Sequence, residues 1–258
     1  MFTLILKMYI VQRLNRKDEK LVDVICESLK TAYDPTISKF FVHQDPGFKR
    51  FFNSALTHPS YASYYAFDTT SRELKAFACF QIIGDIIFLK HIVVDNKQRG
   101  SKIGTKLLYY GLDDIYRTNH KQQHTFQLHV FEKNSKALSW YLSIGLKIVD
   151  CTYWYDLSQT FKSRTNQEDK LSPDFRTSTD TFGFVQLHHK ELYVGTLLAQ
   201  KTLIIKNPKF LDKTELLTPL IQEYNVKSVG FVSDEERPFK LVDKALLMSI
   251  PISLIDMM

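Results

Sequence analysis

Cysteine is scarce in this chain. Cys26, Cys79 and Cys151 are the only three in 258 residues, and none stands in a C-x-x-C pair. Three cysteines cannot close a disulfide framework, so a reducing compartment is the default and the cytoplasm is the expected location. Long apolar runs are missing as well. Ile82–Ile87 and Ile92–Val94 are short and broken by charges, far from the ~18–20 residues of a membrane span, and no membrane association is expected. The first ten residues are rich in apolar side chains, with the first charge at Lys7, but no basic segment precedes them and no small-residue cleavage site follows, so they read as a first strand rather than a signal peptide. No G-x-S-x-G, H-E-x-x-H or G-x-x-x-x-G-K-[ST] occurs. The pair His188-His189 has no Cys or Asp at ligand spacing, and no metal is expected. Nine glycines stand against thirteen tyrosines and nineteen phenylalanines, so the places of the few glycines carry information.

What is present is the composition of an ordinary folded chain. Hydrophobic residues make up 44% and charged residues 24%, which excludes wholesale disorder and a coiled coil. The length suits one large domain or two modest ones. The net charge is +6 and the pI about 9.0. Such a balance suits nucleic acid, an anionic surface or a phosphorylated ligand. The positive residues are dispersed and no RNP-like aromatic motif appears, so nucleic acid is not the expected partner.

Hydrophobic periodicity predicts an α/β chain. Tyr9–Leu14 reads as a strand and Lys17–Thr31 as a helix. The segment 34–66 is irregular and aromatic, with one or two short helices. Leu74–Ile82 and Asp85–Val94 form a hairpin around Gly84-Asp85. A helix over Ile103–Tyr116, a strand over Phe126–Val130, a helix over Ser135–Ser143 stopped by Gly145 and a strand over Leu146–Tyr155 follow. Residues 158–180 are polar and read as a linker or long surface loop. Strands at 182–187, 192–198 and 202–205, a helix at Lys213–Tyr224, a strand at Ser228–Val232, a helix at Phe239–Met248 and a strand at Ile252–Ile255 complete the chain. The order hairpin, strand, helix, strand, helix, strand occurs in 74–155 and again in 182–256. A duplication and a coincidence of a common βαβαβ order both remain open. The expected division is a domain over 1–157, a linker over 158–180 and a smaller α/β domain over 181–258.

The segment Val93-Val94-Asp95-Asn96-Lys97-Gln98-Arg99-Gly100-Ser101-Lys102-Ile103-Gly104-Thr105 carries the most chemistry. A strand runs into a basic, glycine-containing turn and an amphipathic helix leaves it. Free N–H groups and the positive helix end then converge on one point, which suits a phosphate or pyrophosphate. Arg99-Gly100-Ser101-Lys102-Ile103-Gly104 resembles the acyl-CoA loop of the GNAT superfamily of N-acyltransferases, Q/R-x-x-G-x-G/A, with Lys102 where the middle glycine stands. A second segment agrees. Asn134, Ala137, Trp140-Tyr141 and Gly145-Leu146 fall in register with the family's next motif, thirty residues past Gly104. The resemblance spans about residues 8–157, and reaches the C-terminal part only as a degenerate second copy.

The resemblance implies a GNAT-like mixed sheet flanked by helices, and direct transfer of an acetyl group from acetyl-CoA to an amine. It implies that the strand before the loop splays from the strand after the helix. The pantetheine arm then lies along Ile92, Val93 and Val94, with the pyrophosphate on Arg99, Gly100, Ser101, Lys102, Ile103, Gly104 and Thr105. Asn134 and Ala137 complete the cofactor contacts, and Tyr141 is the matching general acid for the sulfur. Trp140, Leu138 and the apolar helix face also admit Tyr141 as a core aromatic. Many family members carry a Glu six residues ahead of Val94, where this chain has Phe88. Asp85, His91, His129 and Glu132 are the remaining candidates for the base. Tyr61, Tyr64, Tyr65 and Phe67 stand where the family walls its acceptor site, or they are packing. The rival to an enzyme is a non-catalytic acyl-CoA-binding protein with a regulatory or interaction role. The acceptor is unnamed, small molecule or protein, and a homodimer is left open.

Overall fold

The computed structural model describes residues 4–6, 9–14, 18–118, 124–162, 171–199 and 201–255. Strands β1 (Leu4–Leu6) and β2 (Tyr9–Arg13) lead into helix α1 (Glu19–Thr31), α2 (Pro35–Ser38) and α3 (Gly47–Thr57). Next come β3 (Tyr61–Asp68), β4 (Leu74–Ile83), β5 (Ile86–Val94), α4 (Ile103–Thr118), β6 (Thr125–Phe131), α5 (Ser135–Ile144) and β7 (Lys147–Asp156). The rest is α6 (Ser158–Lys162), β8 (Phe175–Thr179), β9 (Val185–His189), β10 (Leu192–Leu198), β11 (Thr202–Ile205), α7 (Thr214–Glu223), β12 (Ser228–Ser233) and β13 (Leu241–Pro251). The expectation of an α/β chain with a mixed sheet holds. No helix among the described residues is long and apolar enough to cross a membrane.

The chain forms two compact units that interleave in sequence. The first takes residues up to Ala32, Phe52–Asp150 and Leu246 onward; the second takes Tyr33–Phe51 and Cys151–Ala245. This differs from the consecutive division at 157 and 181, and β7 and β13 are the reason. Each is long enough to serve both units, with its halves falling on either side of the division.

In the first unit the strand order is β1-β2-β3-β4-β5-β6, then the second half of β13, then the first half of β7. Neighbours β1 to β5 are antiparallel, and β5 runs parallel to β6. Helix α1 starts where the Asp18 carboxylate accepts the Leu21 N–H at 3.0 Å, a side-chain cap on an otherwise orphan donor. Its Val22, Ile25, Cys26 and Leu29 are buried at helical spacing. Helix α4 buries Ile103, Leu107, Leu108, Leu112 and Ile115 in the same way. At Gly111 it comes so close to the sheet that a Cβ would lie 2.5 Å from the Phe80 ring.

In the second unit the order is the first half of β13, the second half of β7, then β12-β11-β10-β9-β8. Here β11 and β12 are the parallel pair. The core is a cluster that includes Tyr155, Phe161, Leu197, Leu203, Ile205, Phe210, Leu217 and Phe231. The Asp45 carboxylate, itself buried, accepts the N–H groups of Gly47 at 2.7 Å and Ala199 at 2.6 Å.

Four expectations are corrected. The segment 239–248 is not a helix but most of β13, and 252–254 is a single 3-10 turn rather than a strand. Val242 and Leu246 mimic helical spacing, and Ala, Leu, Lys and Met favour helix. Tertiary burial on both faces decides otherwise: Val242, Asp243, Ala245, Leu246, Met248 and Ile250 are all buried. The stretch 158–180 holds α6 and β8, and its part 163–170 lies outside the described residues. The end of the segment 34–66, read as irregular, belongs to strand β3 from Tyr61 onward. Tyr64 is fully buried there, and its hydroxyl donates to Asp114 Oδ2 of α4 at 2.6 Å. Burial and that carboxylate push its pKa up. Tyr64 is therefore packing, as the plainer reading had it.

Candidate active site

A β-bulge shapes the site. Along β4 and β5 the pairing runs from Ile83↔Ile86 to Phe80↔Leu89 and resumes at Cys79↔His91, so Lys90 is the extra residue. A bulge bends its strand and increases the local twist. The parallel register of β5 with β6 runs Ile86↔Thr125 to Leu89↔Leu128 and ends there. From the bulge onward, Lys90–Val94 and His129–Phe131 no longer pair with each other. The two strands fork.

The fork exposes backbone donors and acceptors. Asp95 N–H reaches Lys75 O of β4 at 2.9 Å. Groups in an antiparallel pair alternate sides, so Val93 faces β4, and the N–H and C=O of Ile92 and Val94 face the fork. Ile92, Val93 and Val94 are each only half-buried, although they are apolar residues in the interior of a sheet.

Beyond the fork the chain makes a 3-10 turn at Asn96–Gln98, with the Asp95 carboxylate accepting the Lys97 N–H at 3.0 Å. The turn is pinned from β2, where the Tyr9 hydroxyl donates to Gln98 Oε1 at 2.5 Å. The Ser101 hydroxyl donates to Gln98 O at 2.6 Å. Gly100 (φ 85°) and Lys102 (φ 63°) both take the left-handed conformation. Lys102 thus keeps the backbone form expected of the glycine it replaces. Helix α4 then begins, and helix geometry leaves the N–H groups of Ile103, Gly104 and Thr105 without intrahelical acceptors. Gly104 is half-buried, and a Cβ there would lie 3.0 Å from Val94 Cγ2 and 4.0 Å from Trp140 Cη2. Arg99, Lys102 and Lys106 are exposed, and they form no ion pair among the described residues. A left-handed L-residue costs about 1–2 kcal/mol and the extra chain freedom of glycine about 0.5–1. Lys102→Gly is therefore expected to stabilise the fold by about 0.5–1 kcal/mol, read as a raised denaturant midpoint. A midpoint at or below that of the parent would show that no strain resides at this turn.

The remaining expected residues fall on α5. Asn134 caps it, its Oδ1 accepting the Ala137 N–H at 3.3 Å, so that pair is engaged in starting the helix. Trp140 reaches the Gly104 turn. Tyr141, next to it with ring centroids 4.7 Å apart, is 5% exposed. Gly145 ends the helix at φ 100°, its N–H and that of Leu146 bonding back to Leu142 O and Tyr141 O.

The four candidate bases separate. Asp85 lies in the hairpin turn before β5, at the opposite end from the loop. Glu132 lies in the turn after β6. His91 is half-buried and stands opposite Cys79 of β4, whose thiol is pushed up to about 11 by burial. His129 is the first residue of β6 past the fork and is exposed. Its ring meets Phe88 edge-on at 5.3 Å, and Lys90 Nζ lies 5.4 Å from the same Phe88 ring. Partial desolvation of the ring pushes the His129 pKa down, and so, to a lesser degree, does the Lys90 ammonium, against an opposite pull from Asp150. Burial likewise lowers Lys90. Periodicity alone could not have separated these histidines, because the fork depends on a bulge that leaves no mark in the apolar pattern.

Residues 25–146 match the model of the acetyltransferase (GNAT) family. This part of the chain is a GNAT acetyltransferase domain. A comparison with curated proteins finds no significant match. Among solved structures, the chain is similar to a GCN5-related N-acetyltransferase from Sphaerobacter thermophilus. That likeness has a TM-score of 0.57 and 13% identity, over 96% of this chain and 97% of the other. It is also similar to a tandem GNAT protein from the clavulanic acid biosynthesis pathway, with a TM-score of 0.60 and 11% identity over 94% and 98%. At such identities the likeness is one of fold, and it takes in the C-terminal part as well. That part repeats the GNAT order. β10, β11, a 3-10 turn at Pro208–Phe210, α7 and parallel β12 follow one another as β4, β5, a 3-10 turn, α4 and β6 do. Even the cap is repeated, Asn207 accepting the Lys209 N–H at 3.1 Å as Asp95 accepts that of Lys97. The second copy lacks the fork: β11 is paired with β12 along its whole length, Thr202↔Ser228 to Ile205↔Phe231. Its turn is filled by its own buried Phe210 and Leu211. Among the described residues of the chain no group of His, Cys, Asp and Glu is arranged to hold a metal ion.

Proposed function

We propose that the chain is an N-acetyltransferase that moves an acetyl group directly from acetyl-CoA to an amine, with its working site in the GNAT domain. The observation that carries this reading is the fork at Leu89 and Leu128. It leaves an open strand edge leading to the start of a helix whose first N–H groups are unpaired. From Lys90 to Val94 the edge is about 13 Å long at ~3.3 Å per residue, which suits an extended arm lying beside it as an added strand. The anionic end of that arm then meets the N–H groups of Ile103, Gly104 and Thr105, with Arg99, Lys102 and Lys106 around them. The missing Cβ at Gly104 is what lets a pyrophosphate come close.

In the reaction the amine lone pair attacks the thioester carbonyl. A C–N bond forms and the C–S bond breaks. A backbone N–H on the open edge of β5 polarises the carbonyl oxygen, and the Tyr141 hydroxyl gives its proton to the leaving sulfur. The test is release of free CoA thiol from acetyl-CoA in the presence of phenethylamine, spermidine or a glycyl peptide. Acetyl-CoA binding with no thiol release for any amine would favour the non-catalytic reading.

The same reasoning sets the stoichiometry. The second copy has neither an unpaired strand edge nor an open turn, and Pro208 offers no N–H there. Titration calorimetry of the intact chain with acetyl-CoA is expected to give one site. Two equivalent sites would show that the second copy binds without a fork.

A further inference from the structure

Attack on the thioester requires a free lone pair on the acceptor. An alkylamine in neutral water is almost entirely an ammonium, so a group beside the carbonyl must take a proton. This need rests on the acetyl-transfer reading above and locates the missing part of the site. If the acyl arm follows the open edge of β5, its reacting end lies where that edge begins, at Lys90 beside Leu128 and His129.

We propose that His129 is the general base of the reaction, taking the proton from the acceptor ammonium at the fork.

Three observations place it there. His129 is the first residue of β6 whose strand partner has diverged, and it is exposed where the residues on either side of it, Leu128 and Val130, are buried. Its face of β6 is the polar one, shared with Gln127, whose amide lies 3.4 Å from Ser249 Oγ of β13. Finally, its imidazole packs edge-on against Phe88 of β5 at 5.3 Å. Phe88 therefore packs against one edge of a ring that is otherwise exposed, at the level where β5 and β6 part. The rivals are less well placed. Asp85 is five residues from Lys90 along the strand, roughly 16 Å, and Glu132 three residues beyond His129, roughly 10 Å. His91 stands in register with Cys79 within the β4–β5 pairing.

The charges facing His129 suit a base. Lys90 approaches from β5 and Asp150 from β7, and Lys90 has the stronger effect. Together with partial desolvation of the ring it holds the pKa below the ordinary 6.5, which favours the neutral imidazole. In the step itself the ammonium N–H bond breaks and its proton moves to the imidazole, leaving the lone pair on the amine nitrogen. That nitrogen forms the C–N bond as the C–S pair leaves with sulfur, which Tyr141 protonates. No oxidant or further reactant is needed.

The sign of the pH dependence follows. The base works while neutral, so kcat/KM falls as pH drops through its pKa, below 6.5. His129→Gln keeps the size and a polar end but cannot take the proton. It is expected to lower kcat/KM for phenethylamine at pH 7 by about 10²–10⁴-fold, to abolish the acidic limb, and to regain activity with free imidazole. Acetyl-CoA affinity stays as in the parent. Lys90→Met removes the cation that disfavours imidazolium and moves the parent's acidic limb to higher pH. Turnover of His129→Gln within threefold of the parent, with the limb intact, would overturn the assignment. So would acetyl-CoA binding by the parent without transfer to any amine. Loss of acetyl-CoA binding in the parent itself would overturn the acetyl-transfer reading beneath it.

Discussion

Gly104→Glu is expected to remove acetyl-CoA binding altogether. The position is where steric and electrostatic effects act together. A Cβ at Gly104 already meets Val94 Cγ2 at 3.0 Å, and Val94 is one of the two residues whose backbone faces the open edge. Beyond that Cβ, a glutamate carries a negative charge to the start of α4, where the N–H groups of Ile103, Gly104 and Thr105 and the positive helix end converge. That charge would satisfy the same donors internally and repel a pyrophosphate. In the parent, acetyl-CoA at a hundred times its Kd is expected to stabilise the folded chain by about 2.7 kcal/mol, a shift of several degrees in Tm. In Gly104→Glu the shift should vanish, with the Tm measured without ligand reporting separately what the crowding against Val94 costs the fold. Gly104→Ala separates the two effects, adding the crowding without the charge. An unchanged ligand-induced shift in a folded Gly104→Glu protein would show that the pyrophosphate binds elsewhere.

How much of this was legible follows from where each signal lives. The hairpin, α4 and α5 were readable because their apolar residues repeat with the period of the element, and because Gly84, Asn134 and Gly145 mark its ends. The loop was readable because a strand, a basic glycine turn and a helix follow one another locally. The resemblance to GNAT proteins, drawn from Arg99–Gly104 and Asn134–Leu146, is borne out by the family match. What was not legible is non-local. Lys90 is an extra residue only relative to β4, and nothing in Leu89-Lys90-His91 announces a bulge, so the fork and the place of His129 had to come from the structure. The strand Leu241–Pro251 was misread for a related reason. Its propensities favour a helix, and only the strands around it in each unit make an extended chain the better burial. The interleaving of the units was hidden with it, because a helix there would leave both units without a strand. The second copy's turn carries Pro208 and the buried Phe210 and Leu211, features that bear on the single site expected per chain.

Tyr141→Phe separates chemistry from packing at the most ambiguous residue of the site. The side chain is 5% exposed on the inner face of α5, so burial alone is compatible with a core aromatic. Its position argues for more. The adjacent Trp140 lies against the Gly104 turn, which brings this stretch of α5 to the start of α4, and Asn134 and Gly145 fix both ends of the helix that carries it. A phenol with an ordinary pKa near ~10 is well matched to protonate a departing thiolate. The substitution keeps the ring, its contact with Trp140 and its volume, and deletes one oxygen. If the hydroxyl protonates the sulfur, kcat should fall by about ten- to a thousandfold. Acetyl-CoA affinity should hardly move, since the pyrophosphate and the strand edge are untouched. The acidic limb contributed by His129 should persist in the variant, because the proton taken from the amine and the proton given to sulfur come from different groups. Equal turnover in the two proteins, with equal acetyl-CoA affinity, would return Tyr141 to the core and require another donor for the leaving group.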